Sequence, residues 1–267
     1  MLRTESHCVV EQDGPVLTVT LNRPEARNAL SPRMIVEMVE AWTRINEDES
    51  VRVAILTGAA GTFSAGADLK TMGREREGEE RYLKCMEDDP DLTQKALLHL
   101  MRLDKPLIAA VEGFAVGGGT EILQATDIRI AAEDARFGLP EVRWGLFPLA
   151  GSTVRLRRQI PYTHAAELLL TGSIISAQQA LAVGLIGRTV PPGTALAAAR
   201  DVAARVVANG PLAVSAVKRA LVETEGMTEQ DAIPAALAIG RPVFKTRDAY
   251  EGTAAFAEKR TPSFEGR

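Results

Sequence analysis

Pro106-Leu107-Ile108-Ala109-Ala110-Val111-Glu112-Gly113-Phe114-Ala115-Val116-Gly117-Gly118-Gly119-Thr120-Glu121 decides how the rest of the chain is read. Its first six residues form an unbroken run of the kind that strands buried on both faces carry. Glycines then punctuate it. Gly117 to Ala125 reads as a short helix, and Asp127-Ile128-Arg129-Ile130-Ala131 as a further strand. An upstream segment echoes this one. Leu56-Thr57-Gly58 leads through Phe63 to Gly66 and Asp68, as Val111-Glu112-Gly113 leads through Phe114 to Gly118 and Glu121. Each is strand, glycine, aromatic, small residues, glycine, acid. Strand-to-helix turns need glycine, which accounts for the echo simply. Alternatively, each turn aims one backbone N–H into a shared pocket. Strands alternating with helices predict an α/β fold of repeated β-β-α or β-α units.

Working outward, Val16 to Leu21 reads as a strand by its β-branched content, and Val51 to Thr57 as another. Between them, Ser31-Pro32 reads as a helix cap and first helical residue. Met34, Ile35, Met38, Ala41, Trp42 and Ile45 then recur at helical spacing. The charged stretch Arg74 to Asp91 reads as a solvated loop and helix face, or as a lid beside a ligand. Leu92 to Leu103 returns to helical spacing. From Ala195 the pattern is helical almost throughout, over Ala195–Val207, Pro211–Thr224, Ala232–Ile239 and Thr246–Lys259. A core of 1–194 and a helical C-terminal domain of 195–267 follow.

The 267 residues are 46% hydrophobic and 25% charged, with a formal net charge of −4, which argues against a nucleic-acid protein. An anionic ligand needs only a local basic patch and stays possible. Two cysteines, Cys8 and Cys85, do not suggest a disulfide scaffold or a metal site. The N-terminus has no apolar signal-peptide core, and no run reaches the ~18 apolar residues of a membrane span. A reduced cytoplasmic protein without membrane attachment is expected. His7, His99 and His164 stand beside no plausible nucleophile or metal partner, so metal chemistry and Ser-His-Asp chemistry lose support.

Two acids carry the chemistry. Glu121 follows the triple glycine, and Glu141 ends a second glycine turn, Phe137-Gly138-Leu139-Pro140-Glu141. A helix beginning near Gly117 places Gly118 and Glu121 on one face. Backbone N–H groups at a helix start are unpaired and favour negative charge. With two carboxylates they form a kit for chemistry beside a carbonyl, donors for an oxyanion and an acid and base for a proton. Spacing alone leaves another account of each acid equally open: Glu121 as a helix N-terminal charge and Glu141 as a surface loop carboxylate. The triple glycine is neither a G-x-G-x-x-G fingerprint nor a phosphate-binding P-loop.

Leu21-Asn22-Arg23-Pro24-Glu25-Ala26-Arg27-Asn28-Ala29-Leu30, Phe63 to Lys70, Ala110 to Ile128, Phe137 to Gly151 and Ala255 to Arg260 together resemble the crotonase, or enoyl-CoA hydratase/isomerase, superfamily over nearly the whole chain. The resemblance implies a spiral of ββα units with a helical C-terminal oligomerisation region, hence a homotrimer or homohexamer. It implies an oxyanion hole from the amides of Ala67 and Gly118. It implies that Glu121 and Glu141 hold a water and add it across the 2,3-double bond of an enoyl-CoA, Glu121 activating the water and Glu141 exchanging the α-proton. Coenzyme A enters as part of the substrate, with no permanent cofactor and no metal. It is expected near Arg23, Ala26 and Arg27, and near Ala65, Gly66, Asp68, Leu69 and Lys70, with Phe256 and Lys259 reaching the adenine end from the same or a neighbouring subunit.

Hydratases of this superfamily commonly read Pro-Gly-Ala-Gly-Gly after the second glutamate, whereas this chain reads Pro148-Leu149-Ala150-Gly151-Ser152. Leu149 is therefore expected to reshape the acyl pocket. Trp144 to Pro161, with Thr120, resembles actinobacterial members, some of which take bulky steroid side-chain thioesters. A Δ3,Δ2-enoyl-CoA isomerase, which needs mainly one glutamate, and a catalytically weak acyl-CoA-binding protein are the competing expectations.

Overall fold

The computed structural model describes residues 6–69 and 78–267. β1 (Cys8–Asp13) and β2 (Val16–Leu21) form a hairpin, and α1 (Pro32–Glu47) leads to β3 (Val53–Gly58). After α2 (Glu80–Asp88) and α3 (Leu92–Ala96) come β4 (Leu107–Val111), β5 (Phe114–Val116), α4 (Gly118–Leu123), β6 (Ile128–Ala132) and β7 (Arg136–Gly138). Next are α5 (Ser152–Gln159), α6 (Tyr162–Thr171), β8 (Ile174–Ser176), α7 (Ala177–Ala182) and β9 (Arg188–Val190). The chain finishes with α8 (Ala195–Val207), α9 (Pro211–Glu223), α10 (Glu229–Gly240) and α11 (Arg247–Glu258).

The main sheet has the order β1-β2-β3-β4-β6-β9 and is parallel except for the β1–β2 pair. A second sheet has the order β5-β7-β8. β4 and β6 each hand the chain on to a short strand of this second sheet, β5 and β7, which pair in parallel. The segment after β3 does the same in miniature. Phe63 N donates to Glu112 O at 2.8 Å, Ser64 N to Phe114 O at 2.8 Å, and Val116 N to Ser64 O at 2.9 Å. The echo between the two glycine turns is thus a stacking of successive ββα turns, one beside the next.

The unbroken apolar character of β4 has a direct cause. Leu107, Ala109 and Val111 face one core, with Trp42, Met38 and Phe63, while Ile108 and Ala110 face a second core on the other side of the sheet. α8 covers that second face with Ala199, Val202 and Ala203. α1 starts as its sequence predicts, with Ser31 Oγ accepting from Met34 N at 3.1 Å and Pro32 at the first helical position. It buries Met34, Met38, Trp42 and Ile45.

One expected helix is cut short. Leu92 to Leu103 is helical only as far as Ala96. Leu98 takes a left-handed backbone, φ +55°, and His99 N donates back to Gln94 O at 2.7 Å, which closes the helix end. Trp42 Nε1 claims the Ala96 carbonyl at 2.7 Å. Leu97, Leu98 and Leu103 are buried, so core packing supplied the apolar spacing that helix formation appeared to explain. In the charged stretch, Glu80 to Asp88 is helical. Lys70 and the start of that stretch lie outside the described residues.

The C-terminal helices are tied to the sheet by polar contacts as well as by α8. Lys218 Nζ on α9, nearly buried, donates to Lys105 O at 2.7 Å and to Asp127 Oδ2 at 2.8 Å. The Asp127 carboxylate also accepts from Leu107 N at 2.7 Å, at the start of β4. We keep the division between 1–194 and 195–267 as a proposal, in which α8 is both the first helix of the C-terminal run and the cover of the second core.

Candidate active site

Backbone contacts lock two glycine turns together. Gly66 has φ +82°, and a Cβ there would lie 2.6 Å from Val116 O and 2.9 Å from Gly118 N. Only glycine allows so close an approach. Behind it, Ser64 Oγ donates to Asn28 O at 2.9 Å and accepts from Gly66 N at 3.1 Å. The buried Thr120 hydroxyl contacts the carbonyls of Ala115 at 2.6 Å and Gly138 at 3.0 Å, bridging β5 and the end of β7. Gly117 N donates to Gly138 O at 2.9 Å. The turn that carries Glu121 is thereby registered against the one that carries Glu141.

A cavity of about 870 Å³ opens where these turns meet. Ala67, Gly118, Glu121 and Glu141 all lie in its wall. Among the described residues the Ala67 and Gly118 amides have no acceptor, and that of Gly118 is the first of α4, which an α-helix leaves unpaired. Much of the remaining wall is apolar: Leu83 and Met86 of α2, Leu97, Trp144, Phe147 and Leu149. Leu149 is 69% exposed, so the Pro148-Leu149 turn presents its side chain to the cavity instead of burying it in the core.

The two acids sit in different surroundings. Glu121 is buried on α4, and its Oε1 accepts from Ala150 N at 2.9 Å. Burial, and next the nearby Glu141 charge, push its carboxyl up to about 7, against the pull of the Ala150 and Ser152 donors. Glu141 lies on a short 3₁₀ turn, Pro140–Trp144. Burial raises its carboxyl too, and its Oε2 has no partner among the described residues. Two inward-facing carboxyls displaced upward, beside unpaired amides, are suited to moving a proton and a water next to a carbonyl.

The enoyl-CoA hydratase/isomerase family model matches residues 11–267. The chain belongs to this family. It is 52% identical over 259 residues to enoyl-CoA hydratase EchA19 of Mycobacterium tuberculosis, covering 97% of this chain and 96% of that protein. It is 39% identical over 268 residues to the 2,3-dehydroadipyl-CoA hydratase of Escherichia coli, covering 98% and 100%. The crystal structure of an enoyl-CoA hydratase from Mycobacterium tuberculosis superposes with a TM-score of 0.87 at 40% identity, over 98% of this chain and 100% of that one. The mycobacterial relatives agree with the actinobacterial look of Trp144 to Pro161, and the fold is the ββα spiral that the family motifs imply.

Within this family member the remaining expected site residues fall into three groups. Ala65, Asp68 and Leu69 line the cavity mouth with Ala67. Arg23, Ala26, Arg27 and Gly66 stand beside it, on or against a loop pinned by Asn28, whose Nδ2 donates to Ala59 O at 3.0 Å and Thr62 O at 2.6 Å. Arg23 serves this pinning. Its Nη1 pairs with Asp68 Oδ2 at 3.1 Å and donates to Ala29 O at 2.9 Å. Arg27 is exposed on the same loop. Phe256 and Lys259 are exposed on and just after α11, away from the cavity wall. Sequence reasoning missed Ala150 and Ser152 as neighbours of Glu121. The departure at Pro148–Ser152 was the available signal, and it drew notice to Leu149 alone.

Proposed function

We propose that this cavity is the active site of an enoyl-CoA hydratase, adding water across the 2,3-double bond of a trans-2-enoyl-CoA to give a 3-hydroxyacyl-CoA. The observation that carries the reading is the placing of Glu121 and Glu141 in one cavity wall with the Ala67 and Gly118 amides. The thioester oxygen takes those two amides as it gains enolate character, a contribution of about 3–4 kcal/mol per donor in comparable sites. A water held between the carboxylates gives its hydroxyl to C3, while C2 receives a proton.

The donors around the acids divide the roles. Ala150 and Ser152 favour a charged Glu121 against the burial that raises its carboxyl to about 7, and burial also raises Glu141, whose Oε2 has no partner among the described residues. Two coupled acids of this kind titrate as a pair. With one proton shared by the pair, a base and an acid are present together. Glu121 deprotonates the water and Glu141 delivers the proton to C2.

Coenzyme A lies along the loops of Arg23–Arg27 and Ala65–Lys70, with the exposed Arg27 facing its phosphates. The active form is a homotrimer or homohexamer, a reading supported by exposed Val217 and Leu221 on α9, Leu237 on α10, and Phe256 on α11. Phe256 and Lys259 then complete the adenine site of a neighbouring copy. Among the described residues no helix is long and apolar enough to cross a membrane.

The test is a panel of trans-2-enoyl-CoA thioesters, from crotonyl to branched and bulky acyl groups, followed by mass spectrometry. Products heavier by one water support hydration. A moved double bond without mass change indicates the isomerase instead, and no conversion of any thioester would overturn both.

A further inference from the structure

Part of the apolar cavity wall belongs to a helix with few means of holding itself in place. α2 contributes Leu83 and Met86 to that wall. It is nine residues long, and isolated helices below ~12–15 residues are marginal in water. Among the described residues, no side-chain hydrogen bond caps its start. Just past its end, Asp89 Oδ2 pairs with Lys95 Nζ of α3 at 2.6 Å. Both groups are about a third exposed, and such pairs contribute little. α2 buries one side chain, Tyr82, which joins the same core as Met34 and Met38 of α1. The helical form of α2, and so the placing of Leu83 and Met86, depends on how Tyr82 is docked.

The Tyr82 ring meets a cation that is itself held. The Arg33 guanidinium of α1 lies 5.7 Å from the ring centroid, and that of Arg81 lies 4.7 Å from it. Arg33 Nε donates to Glu37 Oε1 at 2.6 Å, one turn along α1. Glu37 Oε2 in turn accepts from Cys8 N at 2.8 Å and Ser6 Oγ at 2.9 Å, which anchors the group to the start of β1. The Arg33 and Glu37 side chains are mostly buried, and a cation beside an aromatic ring contributes more there than at the surface. Tyr82, Arg33 and Glu37 stand outside the cavity wall, while Leu83 and Met86 lie in it.

We propose that Tyr82, docked on Arg33, is a positioning residue for acyl selectivity: it holds α2 so that Leu83 and Met86 form a binding wall for the acyl chain beyond its reacting carbons. The selectivity rests on the hydratase reading, whereas the docking rests on the Tyr82–Arg33–Glu37 geometry alone. A crotonyl group ends one carbon past its double bond and stays beside the glycine turns. A longer chain runs on along the apolar wall.

The experiment compares Tyr82→Ala, Tyr82→Phe and Arg33→Met with the wild type. Hydrogen–deuterium exchange reads the amides of α2, and steady-state kinetics with crotonyl-CoA and trans-2-decenoyl-CoA reads selectivity. Tyr82→Ala should speed exchange within α2 by at least ~10-fold while the main sheet stays protected. Its kcat/KM for the decenoyl thioester should fall by at least ~10-fold, through KM, and that for crotonyl-CoA should change by less than about 3-fold. Arg33→Met should move both readouts in the same direction by about 3-fold. Tyr82→Phe keeps the ring and should match the wild type. A folded Tyr82→Ala with wild-type exchange in α2, or with the wild-type ratio between the two thioesters, overturns the proposal. So does a gain in activity on the decenoyl thioester, since α2 would then exclude long chains instead of binding them. A Tyr82→Phe that behaves like the alanine variant overturns it as well. Should Tyr82→Ala not fold, an Arg33→Met with wild-type exchange and selectivity has the same force. If the wild type hydrates no thioester, the hydratase reading fails, while exchange in α2 and the relative affinities for butyryl-CoA and decanoyl-CoA still decide whether Tyr82 positions this wall.

Discussion

Glu121 is held where the fold disfavours its charge, and that has a measurable cost in stability. Burial displaces its carboxyl from 4.5 to about 7. An acid with a raised folded-state value costs nothing well below its unfolded value. The cost appears as pH climbs from about 4.5 and is complete above about 7. At ~1.36 kcal/mol per pH unit the full displacement amounts to ~3 kcal/mol. Glu121→Gln removes the charge and keeps an oxygen for the Ala150 N–H, so the variant should be the more stable protein. The expected gain is ~3 kcal/mol near pH 8 and less than ~1 kcal/mol near pH 5, where the folded carboxyl is already protonated. Urea denaturation of both proteins at the two pH values, at matched concentration, measures it. Turnover should fall by at least ~100-fold in the same variant. An equal stability difference at both pH values, or a glutamine variant less stable near pH 8, would refute the reasoning.

Three further outcomes test other parts of the structure. Gly66→Ala places a Cβ 2.6 Å from Val116 O at a φ of +82°, so it should force the glycine turns apart and lower kcat by more than ~10-fold while the bulk of the fold persists by circular dichroism. Leu149→Gly should change the ratio of kcat/KM between crotonyl-CoA and a bulky enoyl-CoA by at least ~10-fold, since the leucine side chain faces the cavity; equal ratios would make Leu149 a structural substitution. Lys218→Met removes the ammonium that Asp127 and the Lys105 carbonyl share and should destabilise the docking of α9 by ~1–2 kcal/mol, read by denaturation, with turnover at low temperature unchanged.

What was legible in the sequence follows from length and burial. β2, β3, β4 and β6 carry enough β-branched or apolar residues to declare themselves, and α1 adds its own cap. β5, β7, β8 and β9 are three residues each, too short to establish a period of two. Leu97 to Leu103 imitated a helix because one core takes Leu97, Leu98 and Leu103 at helix-like spacing by coincidence, while the Trp42–Ala96 hydrogen bond and the left-handed Leu98 end the helix. Both acids were found because glycine turns flag the strand ends where acids gather. Their environments were not, since the hold of Ala150 and Ser152 on Glu121 arises from residues about 30 positions away that the spiral brings together.

The backbone and the side chains of this site do separate work. The donors proposed for the thioester oxygen are main-chain N–H groups of Ala67 and Gly118, fixed by close backbone contacts at Gly66 that exchanges in the apolar wall leave in place. One hold on Glu121 is likewise the main-chain amide of Ala150. The walls proposed to meet the acyl group are side chains of α2 and of the Trp144–Leu149 segment, most of them outside the two cores. Changing them costs little folding energy, because surface-exposed substitutions usually move stability by less than ~0.5 kcal/mol. Such a division lets one spiral keep its reaction while its acyl preference drifts, and on the proposed function we infer that Leu83, Met86, Trp144, Phe147 and Leu149, which line the cavity, set the acyl preference instead of the carboxylates.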